Sequence, residues 1–128
     1  FIDTGVPHLV LSVQNLETVD VDRLGRAYRS HPYFPAGTNV DFAQIESMDQ
    51  ARVRTFERGV EAETLACGTG AVAVAVISRM KNLLRSPSRL CFPGGELTVS
   101  SNDDFTQVKL TGLVAPVYRG VLEEAFNA

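Results

Sequence analysis

Residues 65–84 read LACGTGAVAVAVISRMKNLL, and the fold turns on how this stretch is taken. Over residues 70–84 it is the strongest helix candidate in the chain. No proline interrupts it, and its first two turns are small and apolar on every side. A helix that is apolar all round belongs in an interior, not on a surface. Ser78, Arg79, Lys81 and Asn82 gather toward the C-terminal end, where the two cations suit the negative pole of the helix dipole. The pattern predicts a buried helix entered through Cys67, Gly68 and Thr69.

The surroundings read as strands. Residues 8–13 (HLVLSV), 38–46, 51–57, 89–92, 96–100, 107–111 and 116–122 are rich in β-branched residues or alternate in polarity. In 38–46, Val40 and Phe42, with Ala43 and Ile45, are expected inside. Pro93-Gly94-Gly95 signals a hairpin, and 101–104 a polar turn. Residues 18–30 carry apolar positions at helical spacing with Thr18 as an expected N-cap. The segment 31–37, with Pro32 and Pro35, ends that helix as a loop, and 58–64 is expected as a polar loop. About seven strands, one outer helix and one buried helix make an α+β domain. Its mixed, largely antiparallel sheet is expected to wrap around the central buried helix.

The bulk numbers suit one domain spanning residues 1–128. Hydrophobic residues make up 45% and charged residues 21% of the chain, enough for a core. The formal net charge of −3 provides no electrostatic footprint for nucleic acid or an anionic membrane. No apolar run approaches the ~20 residues of a membrane helix, and no secretory leader is visible. The first residue is Phe1, so the chain reads as a piece of a longer protein. Its two cysteines, Cys67 and Cys91, are expected as free thiols in a reducing, cytoplasmic setting.

Chemistry concentrates in residues 57–70, ERGVEAETLACGTG. A thiol at a helix N-terminus feels the positive end of the dipole, which favours the thiolate and lowers its pKa. The glycines allow a ligand close to the backbone, and the first-turn N–H groups can hold a carboxylate. A base and a carboxylate cradle in one turn fit proton abstraction next to a carboxylate. The alternative is that Cys67 is a small core residue, the role expected of Cys91. Glu57 and Arg58 are either a solvated charge pair at a turn or residues at the mouth of the loop that delivers Cys67. Spacing alone does not decide between structural and functional roles for these two, for His8 or for Asn39.

The motif set resembles the C-terminal half of diaminopimelate epimerases. ERG…ETLACGTG looks like that family's signature. TGVPH at residues 4–8 resembles its Gly-Asn-Pro-His segment, and TNVDFAQI at 38–45 its Asn-Val-containing strand. FPGGELTV and LTGLVAPVYRG follow the order of its closing strands. Proline racemases share a Cys-Gly-Thr-Gly run but lack the Glu-Arg-Gly approach, and phenazine-biosynthesis isomerases lack the cysteine.

The resemblance implies one of two pseudo-symmetric domains of an isomerase that interconverts LL- and meso-diaminopimelate in lysine and peptidoglycan-precursor biosynthesis. It implies two cysteines and neither pyridoxal phosphate nor metal. Cys67 resembles one of two proton carriers. Glu57 resembles the acid beside the reacting amino group, and His8 the histidine near the thiols. Gly68, Thr69 and Gly70 resemble the carboxylate-binding helix start, whereas Arg58 and Asn39 resemble the residues that hold the distal end.

Implied partners are a small amino-acid substrate, an N-terminal half carrying the second cysteine, and a possible homodimer. The chain alone is expected to be inactive. Two departures stand out. Val6 replaces an expected Asn and cannot hydrogen-bond through its side chain, and the loop between Gly59 and Glu63 is one residue longer than the common form. Val6 leaves open a related racemase of another substrate, or a binding domain that keeps the fold.

Overall fold

The computed structural model describes residues 1–121. Its strands are β1 (Ile2–Asp3), β2 (Pro7–Ser12), β3 (Asn39–Ser47), β4 (Gln50–Glu57), β5 (Ala62–Thr64), β6 (Ser88–Phe92), β7 (Gly95–Ser101) and β8 (Val108–Gly112); its α-helices are α1 (Val21–Arg29) and α2 (Gly68–Met80). The strands form one mixed sheet in the order β1-β2-β3-β4-β6-β7-β8, with β5 added on β4. The β2–β3 and β4–β6 pairs are parallel, and the other pairs are antiparallel. The fold is α+β.

Strand β3 is the pivot. Its first five residues, Asn39 to Ala43, are all buried, because successive side chains point to opposite faces and both faces are covered. Val40 and Phe42 join Leu16, Val21 and Phe56 in one apolar cluster, beside Leu24 of α1. Ala43 joins Val53, Ala71, Val74, Ala75 and Leu90 in a second cluster, on the α2 side. The register places His8 beside Asn39 and Thr55 beside Asp41. His8, Asn39, Asp41, Thr55 and Glu57 therefore share the α2 face at one end of the sheet.

Helix α2 starts at Gly68, two residues before the expectation, with Cys67 as N-cap. It stops at Met80, four residues early, because Lys81 caps it and Asn82 turns left-handed at φ 58°. Ala71, Ala73, Val74, Ala75 and Val76 are buried, and α2 touches β1, β2, β3, β6, β7 and β8. Arg79 departs from a simple dipole role: it donates to the Ser101 and Asn102 carbonyls at 3.0 and 2.7 Å, tying the β7–β8 turn to the helix.

Four other expectations need correction. Thr18 belongs to a 3₁₀ turn; Asp20 caps α1 by accepting from Arg23 N–H at 3.1 Å. The loop over 58–64 contains β5, which finds a free edge of β4. Cys91, expected as a small core residue, is only half-buried in β6 and outside the apolar clusters. Finally, residues 116–121 form no strand. Their apolar members, Val117, Tyr118 and Val121, are 85–91% exposed, and without a neighbour to complete a ladder a β-prone sequence remains unpaired; Leu122 lies outside the described residues.

Candidate active site

The face of the sheet that looks at α2 turns polar at one end, and a connected set of side chains collects there. Cys67 is buried, with its Sγ 3.5 Å from Thr69 Oγ1. Thr69 Oγ1 lies 3.0 Å from His8 Nε2. His8 Nδ1 lies 2.7 Å from Asp41 Oδ2, and Thr55 donates its hydroxyl to Asp41 Oδ1 at 2.7 Å. Asn39 Nδ2 approaches His8 Nε2 at 3.4 Å, while Asn39 Oδ1 accepts from Arg58 N–H at 2.8 Å. Asn39 thus joins the histidine to the Arg58 turn.

Glu57 and Arg58 do not form a surface pair. Glu57 accepts from the Thr64 hydroxyl at 2.7 Å, which points its carboxylate along β5 toward the Cys67 loop. Arg58 donates through Nη1 to Ala36 O at 2.8 Å, which stretches it across the 31–37 loop. The long loop that follows them, between Gly59 and Glu63, closes as a turn, with Glu61 N–H donating to Glu57 O at 2.8 Å. Glu61 sits at φ 62°, a conformation costly for a residue with a Cβ. Its carboxylate holds the turn by accepting from Gly59 N–H at 3.0 Å and from Arg29 at 2.8 Å. The Gly59 N–H and then Arg29 hold that carboxyl below the usual range.

The expected depression of the Cys67 thiol is reversed. Burial pushes it up, and the Glu57 and Asp41 charges add to that; the Thr69 hydroxyl and the Gly70 N–H pull the other way without prevailing. The dipole argument holds for a thiol open to water, but this one is buried although the turn around it, at Ala66 and Thr69, is exposed. Cys91 is also pushed up, by burial and then by Glu96.

The glycines divide their roles. A Cβ on Gly70 would stand 2.5 Å from Asp41 Oδ1, so this glycine admits a carboxylate of the chain itself. A Cβ on Gly68 would meet only Leu110 Cδ2, at 3.1 Å. The first-turn N–H groups lack helical partners by construction, and Gly70's is turned to Sγ.

Every residue singled out from sequence, namely His8, Asn39, Glu57, Arg58, Cys67, Gly68, Thr69 and Gly70, lies in or beside this cluster. Asp41, Thr55 and Thr64 were not singled out. Asp41 had one available signal, a carboxylate amid the apolar run NVDFA, where burial demands partners. Among the described residues, no group of three or more His, Cys, Asp or Glu side chains is placed to hold a metal ion. No helix among them is long and apolar enough to cross a membrane.

The family model described as diaminopimelate epimerase matches residues 1–115. The chain is 51% identical over 127 residues to the diaminopimelate epimerase of Aquifex aeolicus, covering 97% of this chain and 46% of that protein. It is 45% identical over 125 residues to that of Chlorobaculum tepidum, covering 95% and 49%. The chain spans about half the length of the curated relatives it matches. Among solved structures, it resembles a Bacillus anthracis phenazine biosynthesis protein of the PhzF family, with a TM-score of 0.53 at 17% identity over 79% of this chain and 33% of that one. A putative PhzC/PhzF protein from Clostridium difficile gives 0.54 at 18%, over 75% and 34%. Both are likenesses of fold.

Proposed function

The chain belongs to the diaminopimelate epimerase family, and from that premise we propose that it is the half of a two-domain epimerase that carries one of two proton-transferring cysteines. The observation that carries this reading is the buried Cys67 at the start of α2, joined through Thr69 to His8 and influenced by Glu57. In a longer parent, a second domain of like architecture, with its sheet around its own buried helix, would supply the other cysteine. The substrate would lie between the two, in the cytoplasm, with no cofactor required.

Inverting a stereocentre needs a base on one face of the α-carbon and an acid on the other. In this reading the thiolate of one cysteine takes the α-hydrogen and the thiol of the other returns a proton. Charge developing on the carboxylate is met by the first-turn N–H groups of Gly68 and Thr69, fixed dipoles that need no reorganisation, while that of Gly70 stays on Cys67 Sγ. Glu57 faces the amino group. Arg58 and Asn39 hold the distal carboxylate, the arginine already oriented by Ala36 O. Because burial raises its thiol, Cys67 rests as the proton donor.

The test is α-hydrogen exchange from deuterated water into LL- and meso-diaminopimelate by the full-length parent. Cys67→Ser should slow exchange by about 10²–10⁴-fold, the usual worth of a positioned acid–base group; an unchanged rate overturns the assignment. A second reading, a racemase of another amino acid, is favoured by Val6, whose side chain offers no hydrogen bond at the turn before His8. Val6→Asn in the parent separates the two. If the substrate is diaminopimelate held with one polar contact fewer, the variant should favour it over analogues lacking the distal amino-carboxylate. An unchanged kcat/KM ratio makes Val6 a packing residue.

A further inference from the structure

Asp41 is a fully buried carboxylate that the proposed chemistry does not use. It lies in the middle of β3, and both its oxygens are engaged, Oδ2 with His8 Nδ1 and Oδ1 with the Thr55 hydroxyl. It presses against the start of α2 at the one point where glycine leaves room for it, Gly70. A carboxylate that accepts from Nδ1–H selects the tautomer of a histidine and leaves Nε2 as the acceptor. Here Nε2 is 3.0 Å from the Thr69 hydroxyl, and that hydroxyl is 3.5 Å from Cys67 Sγ. Asn39 Nδ2, 3.4 Å from the same nitrogen, helps to hold the ring.

We propose that Asp41 is a positioning residue that orients His8 and supports positive charge on its ring, so that the Cys67 proton passes over the Thr69 hydroxyl to His8 Nε2. In one arrangement Sγ–H donates to Thr69 Oγ1, and Thr69 O–H donates to Nε2. In the other, Thr69 has taken the sulfur's proton and given its own to Nε2. The S–H bond is broken, an N–H bond is formed, and the hydroxyl is regenerated with its hydrogen toward the thiolate. No atom leaves and the total charge is unchanged: the thiolate gains −1 and the imidazolium +1, the latter against Asp41. A buried thiol thereby obtains a base form without releasing a proton to water. The inference rests on Cys67 as a proton carrier in the function proposed above.

The sign of one substitution separates this relay from simple proximity of charge. The ionisable groups acting on Cys67 are Glu57 from the end of β4, Asp41 from β3 and, through Thr69, His8 from β2. Through space, the Asp41 charge holds the thiol up, so its removal alone would lower the ionisation midpoint. Through the relay, its removal weakens the imidazolium that stabilises the thiolate, and the midpoint rises.

The experiment follows thiolate ultraviolet absorbance against pH in this chain carrying Cys91→Ser. Asp41→Asn should raise the Cys67 midpoint by about 1 unit or more, the scale of losing one charge partner. Thr69→Val should also raise it, and Thr69→Ser should leave it near wild type. In the Thr69→Val background, Asp41→Asn should lower it. A fall or no change on Asp41→Asn alone, or no rise with Thr69→Val, overturns the relay.

Should Asp41→Asn not fold, nitrogen NMR of His8 in the unsubstituted chain decides. A neutral ring protonated at Nδ1 is expected, and one protonated at Nε2 refutes the proposal. The titration contains no substrate, so its failure is distinct from a failure of exchange on diaminopimelate.

Discussion

At Cys67 two effects oppose each other within one side chain: the helix start favours the thiolate, and burial disfavours it more. The thiol is held up, so in this chain it stays protonated at neutral pH. Alkylation of Cys67 by iodoacetamide should therefore keep rising through alkaline pH, with no advantage over Cys91, whose thiol is also raised; a plateau of reactivity near pH 7 would contradict this. The motif ETLACGTG was enough to find the residue, because the order of residue types is linear information. The state of the thiol was not legible, because it depends on how deeply the fold buries that one side chain. Asp41 was missed for a related reason. Within NVDFAQI its side chain could belong to an edge or an interior, and only the register, His8 on Asn39 and Asp41 on Thr55, brings it to the histidine.

Helix α1 shows how a local rule and a packing constraint can point in opposite directions. Gly25 lies in the middle of it, where alanine is intrinsically favoured by about 1 kcal/mol. Yet a Cβ at this position would overlap Cβ of Phe56 and stand 2.5 Å from its Cγ. Phe56 is fully buried in the same cluster that receives Val21, so its near atoms cannot swing aside. Overpacking of this kind costs about 1–3 kcal/mol, which offsets the propensity gain. Gly25→Ala should lower the urea midpoint with little change in slope, and a rise would mean that α1 can lift off the sheet at no cost. The same logic limits what sequence could say of elements. Residues buried on every side exposed α2 to view, whereas its ends are set by a left-handed Asn82 and a cysteine cap. β5 exists because β4 offers it an edge, and 116–121 stays unpaired for want of one.

For the molecule as a whole, titration should leave stability flat near neutrality and falling on both sides. Glu17 beside Arg52, Asp49 beside Ser47, Glu61 at the Gly59 N–H and Asp104 beside Thr106 all have depressed pKa values. Each contributes stability above its unfolded pKa and loses it as pH falls through the lower folded value. Glu17, Asp49 and Asp104 are exposed and Glu61 is half-buried, so the acid limb should be shallow and weakened by salt. The two raised thiols act with the opposite sign: their contribution is complete below about pH 8.5, the free-thiol value, and is lost as pH rises through the folded one. Thermal unfolding at acid, neutral and alkaline pH checks the profile, and greater stability at either extreme than at neutrality would contradict it.

The same whole-molecule view governs activity. This chain brings one cysteine to a helix start, at Cys67; the other, Cys91, stands in β6 with Glu96 as its neighbour. One proton carrier can exchange a hydrogen on one face of a carbon, but it cannot complete an inversion that needs a donor on the opposite face. The purified chain, incubated with LL-diaminopimelate in deuterated water, should form no meso isomer, while the full-length parent does. Formation of the meso isomer by this chain alone would show that a single cysteine with His8 or Glu57 as the second carrier suffices, and the two-domain reading would have to be given up.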